Sequence, residues 1–368
     1  MSLLSRVLFC VGVIACAHRI AQAEFVVVAN RSPLTVVFKL ARDAAPGVNA
    51  RQFTLGAGDL VPIPLIAPMQ LSFGAADRPR AYQVVPNGMY YFGEAKVGQI
   101  DLHQIGFSAP GPPQPASLVP RRLDDSEDGP LPAAPVVIPV KILFDEDEVT
   151  PHAAWERRIR ARFEDASRVF EKHCFARFKI VAIESWRSDD AITNLAESLG
   201  EFEQAVDPAP ARLAIGFTGQ YKARQKYLHL GGTRGPLHTH LLIREWVNNN
   251  TESERLEVLI HELGHFLGAV HSPEPNSVMR RVLGDRQARE VKFRIGFDPL
   301  NTLAMCLLGS ELKSRPLVRL ADMRPATQAE LRKLYSEIAH TLPDDPTAQH
   351  YLSLLSPIVH APPEPISD

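Results

Sequence analysis

The sequence predicts an α+β protein of two domains: a small all-β domain, then a larger one in which a twisted mixed sheet packs with helices. Three observations predict it. Residues 24 to about 105 carry short β-branched runs separated by turn clusters. Residues 106–135 hold eight prolines and the acidic run Asp124-Asp125-Ser126-Glu127-Asp128, a composition that buries too little apolar surface to fold. From Val136 onward, apolar runs of strand length alternate with segments of helical periodicity. A chain of 368 residues, 45% hydrophobic, has room for both domains and their cores.

Residues 1–23 read as an export signal. Arg6 precedes the apolar run Val7 to Ala17, too short to span a bilayer. Ala21-Gln22-Ala23 has the small-x-small form of a cleavage site, so the mature chain is expected to start at Glu24. Val13-Ile14-Ala15-Cys16 also resembles a lipobox, which would anchor a lipid on Cys16; the reading adopted is that Cys16 is a small apolar residue of the signal. A secreted or periplasmic protein with no transmembrane helix after signal removal follows. A net charge of −2 gives no basic surface for nucleic acid.

In the first domain, Phe25 to Val28 and Leu34 to Phe38 are strand-like and are split by Asn30-Arg31-Ser32-Pro33. Further runs lie near Leu60 to Ile66, Gln70 to Phe73, Ala81 to Val85 and Met89 to Phe92, with a turn at Pro86-Asn87-Gly88. This spacing suggests a small β-sandwich over 24–105, serving either as a targeting module or as a structural or pro-region. Residues 106–135 are the linker.

The second domain is expected over 136–342. Val136 to Phe144 is a strand. Thr150-Pro151 opens a helix with Trp155, Ile159, Phe163, Ala166, Val169 and Phe170 on one face. Arg177 to Ile183 and Leu213 to Phe217 are strands, with Ile192 to Val206 helical between them. Tyr227 to Leu230 and Leu237 to Glu245 are two more strands, separated by a flexible Gly231-Gly232-Thr233-Arg234-Gly235. Pro299 to Leu312 is helical. Thr327 and Glu330 form a capping box opening another helix. From Pro343 the returning prolines suggest a loosely ordered tail, 343–368. Cys174 and Cys306 remain after signal removal, to pair or to stay as separate buried thiols.

The chemistry is concentrated in His261-Glu262-Leu263-Gly264-His265-Phe266-Leu267-Gly268-Ala269-Val270-His271. Thr251 and Glu254 form a capping box, and Leu256, Leu259, Ile260, Leu263 and Leu267 recur at helical spacing. His261 and His265 therefore share one helix face, one turn apart, where two imidazoles can grip one metal ion. Glu262 points about 100° away, outside the ligand plane but within reach of a water on the metal. Gly268 suits the left-handed end of a helix and lets the chain bring His271 back as a third ligand. Three protein ligands leave a fourth position open, as a catalytic zinc site requires. His238 and His240, two apart on a strand, face one side; a second metal or hydrogen bonding at the sheet surface are the alternatives.

HExxHxxGxxH followed by a methionine resembles the metzincin clan of zinc peptidases. Ser272 after the third histidine, and Met279 within Asn276-Ser277-Val278-Met279, resemble its matrixin branch. The match spans His261 to Met279. It implies that His261, His265 and His271 are zinc ligands, that Glu262 is the general base and that Met279 is the hydrophobic floor of a Met-turn. Arg281 stands where astacins and serralysins carry a tyrosine ligand. The resemblance also implies an antiparallel edge strand that binds peptides by strand addition, with Tyr227, Leu228, His229 and Leu230 as its candidate residues. The PRCGxPD motif of matrixin pro-regions is absent, so inhibition by the first domain would need another ligand or steric cover. Structural calcium is not readable. The expected function is a secreted zinc endopeptidase acting on protein or peptide substrates. The alternatives are a zinc-containing binding or structural protein without catalysis, and a zinc hydrolase of a non-peptide amide.

Overall fold

The computed structural model describes residues 24–42, 50–75, 78–96, 98–106, 134–146, 148, 150–192, 194–219, 230–245, 250–290 and 294–356. The expected export signal, nearly all of the expected linker and residues 357–368 lie outside the described residues. The fold is mixed, with sheets and helices.

Eight strands open it: β1 Phe25–Asn30, β2 Val36–Ala41, β3 Arg51–Leu55, β4 Leu60–Pro64, β5 Met69–Phe73, β6 Arg80–Val84, β7 Met89–Lys96 and β8 Gln99–Gln104. They form two four-stranded sheets, ordered β4-β1-β7-β8 and β3-β2-β5-β6. Phe38, Leu40, Leu71, Phe73, Tyr90 and Phe92 fill the space between them. Strands β3 and β8, which the sequence reading passed over, are both edge strands. Their half-exposed faces carry Arg51, Gln52, Gln99 and Gln104, so apolar runs do not mark them.

Strand β1 is buried along its whole length. Successive side chains of a strand point to opposite faces. Val26 and Val28 enter the core between the two sheets. Phe25, Val27 and Ala29 point the other way, with Leu60 and Met89, into the main core of the second domain. The eight opening strands and the rest of the fold thus share apolar packing. At its rim Asp59 accepts from Lys172 at 3.2 Å and Arg294 at 3.1 Å, and Arg31 pairs with Glu274.

The second domain follows the order β9 Val136–Asp145, α1 His152–Cys174, β10 Ala176–Trp186, α2 Leu195–Ala205, β11 Leu213–Thr218, β12 Gly231–Thr233, β13 His240–Arg244 and α3 Glu252–Phe266. Its sheet is ordered β10-β9-β11-β13-β12. All neighbours are parallel except β12, an antiparallel edge. The glycine stretch expected to be a flexible separator is corrected here, because Gly231–Thr233 forms that edge strand. Tyr227, Leu228 and His229 lie outside the described residues. Leu230 accepts from Arg244 N at 2.9 Å and so continues the pairing. Alternation sorts the sheet's two faces. Leu143, Ala214 and Leu242 pack with Phe202 of α2, while Ile142, Ile215, Leu241 and Ile243 join the core that holds α1 and α3.

Helix α3 starts as its sequence implies. Thr251 accepts from Glu254 N, and the Glu254 carboxylate accepts from Thr251 N at 2.7 Å. Its base is tied to α1 by Arg162, 2% exposed, which donates two 2.9 Å hydrogen bonds to Glu245 after β13 and also reaches Glu252. Burial alone would push the Glu245 carboxyl up; the Arg162 guanidinium holds it below the usual glutamate value.

Helices α4 Pro299–Ser314, α5 Pro325–Thr341 and α6 Pro346–Leu354 complete the fold. Two expectations are corrected. Thr327 does not cap α5: Pro325 starts that helix, and Thr327 lies inside it, donating to buried Glu311. Nor is the region after Pro343 wholly loose. Asp345 caps α6 by accepting from Thr347 N, Pro346 takes the first helical position, and Ala348 and Tyr351 are buried. A proline that suggests a break in sequence here starts a helix. Cys174 and Cys306 are buried free thiols, and Cys306 Sγ donates to His173 O. Among the described residues no helix is long and apolar enough to cross a membrane.

Candidate active site

Helix α3 carries His261, Glu262 and His265, all buried. The helix ends at Phe266, and Gly268 adopts φ +88°, a left-handed conformation that turns the chain back. His271 then comes beside the other two. The ring centroids of His261, His265 and His271 stand 4.7, 5.4 and 5.1 Å apart, and one ligand atom from each lies within 4.8 Å of the others. This is the only such group of three among the described residues.

Each imidazole is held through Nδ1. His261 Nδ1 donates to Val278 O at 2.8 Å, and His265 Nδ1 donates to Ala269 O at 2.9 Å. His271 Nδ1 meets Asp345 Oδ2 at 2.8 Å and Thr347 Oγ1 at 3.1 Å. Carbonyls only accept, so the hydrogens of His261 and His265 sit on Nδ1. Burial, and then the neighbouring imidazoles, push His261 well below the usual histidine value and His265 down to about 3. Both rings are therefore neutral, with bare lone pairs on Nε2. Yet the two Nε2 atoms face each other at 3.1 Å. Two imidazole nitrogens at that distance suit a shared cation. Four-coordinate zinc with bonds of 2.0–2.1 Å sets its nitrogens about 3.3 Å apart, so this donor set fits the metal.

Met279 is fully buried beneath the helix. A Cβ added to Gly264 would stand 2.8 Å from Met279 Sδ, so the glycine between the two ligand-spaced histidines is what lets the methionine approach. Ser272 N donates to Met279 O at 2.8 Å, which pins this turn to the segment after His271.

Glu262 is 6% exposed and lines an open cleft of ≈ 780 Å³ with the three histidines. Burial pushes its carboxyl up to about 8. A cation held by the imidazoles would bring that value down. Gly231 and Gly232 of the edge strand, Arg281, Leu283 and the α6 residues Thr347 and Tyr351 also line the cleft. None of the cleft's described lining residues comes from residues 24–105.

His238 and His240 are engaged elsewhere. His238 Nε2 meets Glu203 at 2.8 Å, and His240 Nε2 meets Val206 O at 2.9 Å. The sequence reading missed Gly231, Asp345, Thr347 and Tyr351. For Asp345 a signal existed, since Asp-Pro before a helical run is an N-cap followed by proline at the first position.

Residues 142–298 match the family model described as Matrixin. This stretch is matrixin-like. It contains most of the second domain's sheet, helix α3 and the turn at Met279, and its match agrees with the metzincin resemblance of His261 to Met279. No curated protein matches the chain. Among solved structures, the archaemetzincin of Methanopyrus kandleri is similar with TM-score 0.35 and 16% identity, over 47% of this chain and 94% of that one. A chaperone–substrate complex is similar with TM-score 0.36 and 8% identity, over 79% of this chain and 42% of that one.

Proposed function

We propose that this chain is a zinc-dependent endopeptidase that hydrolyses peptide bonds of protein or peptide substrates outside the cytoplasm. The observation that carries the reading is the convergence of His261, His265 and His271, one ligand atom of each within 4.8 Å of the others, with Glu262 beside them in the same cleft. The matrixin match over 142–298 supports it.

His261, His265 and His271 would hold the ion through Nε2. Zinc there would supply Lewis acidity toward water and a substrate carbonyl. Glu262 takes the proton from the attacking water onto a carboxylate oxygen and passes it to the leaving nitrogen. No side chain becomes acylated. Strand β12 presents backbone along the cleft wall, where an extended substrate can pair with it. Gly231 and Gly232 keep side chains out of that approach. Export rests on the apolar segment within residues 1–23.

Elemental analysis tests the metal, with one zinc per chain expected and none in His261→Ala/His265→Ala. Cleavage of an unfolded protein should stop on chelation and return with added zinc. A folded protein that takes up no zinc contradicts the reading. Export predicts protein outside the cytoplasm starting at Glu24, against a full-length chain retained inside.

A further inference from the structure

We infer that the turn into α6 is the clasp of the metal site, with Asp345 the residue that positions His271; this rests on the zinc reading above. The three imidazoles are not held alike. His261 and His265 sit on a rigid helix, and each is bound by a backbone carbonyl within seventeen residues. His271 lies beyond the helix end, and its side chain keeps 24% exposure. Its Nδ1 contacts come from side chains 74 and 76 residues later, Asp345 and Thr347.

Asp345 is built for the task. It is 5% exposed. Its Oδ2 takes the His271 contact at 2.8 Å and the Arg281 Nε contact at 3.1 Å, while Oδ1 accepts from Thr347 N at 3.0 Å. Arg281 and Thr347 N thus fix the carboxylate from two sides before it meets the imidazole. Arg281, two residues after Met279, serves here as the anchor of that carboxylate. One turn along α6, Tyr351 places its hydroxyl 3.2 Å from His265 Nδ1. The last described helix therefore touches two of the three histidines. A ligand imidazole with a carboxylate on its far nitrogen is held in one tautomer and one ring orientation, and losing such a partner costs typically 10–100-fold in metal affinity.

Asp345 also caps α6, so the test must separate capping from positioning. Asparagine caps as well as aspartate does, but one of its two groups is an amide donor, and it cannot both cap and accept from His271. Zinc dissociation constants are measured by competition with a chelating dye on full-length protein, alongside thermal unfolding of the metal-free forms. Asp345→Asn is expected to bind zinc 10–100-fold more weakly while its metal-free form, with the cap kept, melts between wild type and Asp345→Ala. Asp345→Ala is expected to lose affinity equally and to melt lower. Asp345→Ser, a cap too short to reach His271, repeats the separation should the asparagine variant misfold. Cap-preserving variants that bind zinc within about threefold of wild type overturn the inference and leave Asp345 a helix cap. A wild type that binds no zinc overturns the metal reading itself, and this inference with it.

Discussion

Gly231 lies against Glu262 so closely that a Cβ on it would stand 2.6 Å from Glu262 Cγ and 2.7 Å from Cδ and Oε1. Edge strand and carboxyl touch with no side chain between them. A glycine inside a strand often marks such an approach. Gly231→Ala must displace either β12 or the carboxyl. A shift of about 1 Å in a catalytic group can cost 10²-fold, so kcat/KM for peptide cleavage should fall by that order. Zinc content should not change, since none of the three histidines is touched. Wild-type turnover in the alanine variant would show that the contact does not position Glu262.

The core shared by strand β1 and the helices α1 and α4 makes a prediction about proteolysis. Limited proteolysis is expected to cut first within the proline-rich residues 106–135. Val27 and Phe25 lie in the same core as α1 and α4, so the cut halves should stay together. Size-exclusion chromatography after limited digestion should show one peak containing both fragments. Separate elution of a fragment near residues 24–105 would contradict the shared core.

The Arg162–Glu245 pair sets the base of the helix that carries His261. Breaking a buried pair costs about 3–5 kcal/mol, and Glu245→Gln should lower stability by that order at pH 7. Glu245 has a depressed value in the folded chain, so its contribution is present above the unfolded value of 4.5 and is lost as pH falls through the folded one. Urea unfolding of both proteins between pH 7 and pH 3 should show the gap closing below 4.5. A gap that stays constant would mean that the carboxylate charge is not what holds Arg162.

Much of the fold was legible because patterning is local. Thr251 and Glu254 announce helix α3, and Trp155, Ile159 and Phe163 announce the buried face of α1. The convergence of His261, His265 and His271 was legible because a helical repeat and one glycine place them. What was not legible is long-range. Nothing near Asp345 says that it faces a histidine 74 residues away. Nothing in Gly231 distinguishes a flexible glycine from one pressed on a carboxyl. The burial of β1 on both faces is written as Phe25-Val26-Val27-Val28, but the identity of its second partner depends on tertiary packing.

In the proposed reaction Glu262 moves the proton while the three imidazoles hold the metal. The direct measurement is cleavage of an unfolded protein by wild type and Glu262→Ala, with zinc determined on the same samples. General acid–base help is worth 10²–10⁴-fold, or roughly 3–5 kcal/mol of barrier. The leaving nitrogen depends on that proton, so a loss near the upper end is expected, with zinc still at one per chain. A zinc-loaded variant that cleaves as fast as wild type would contradict the account.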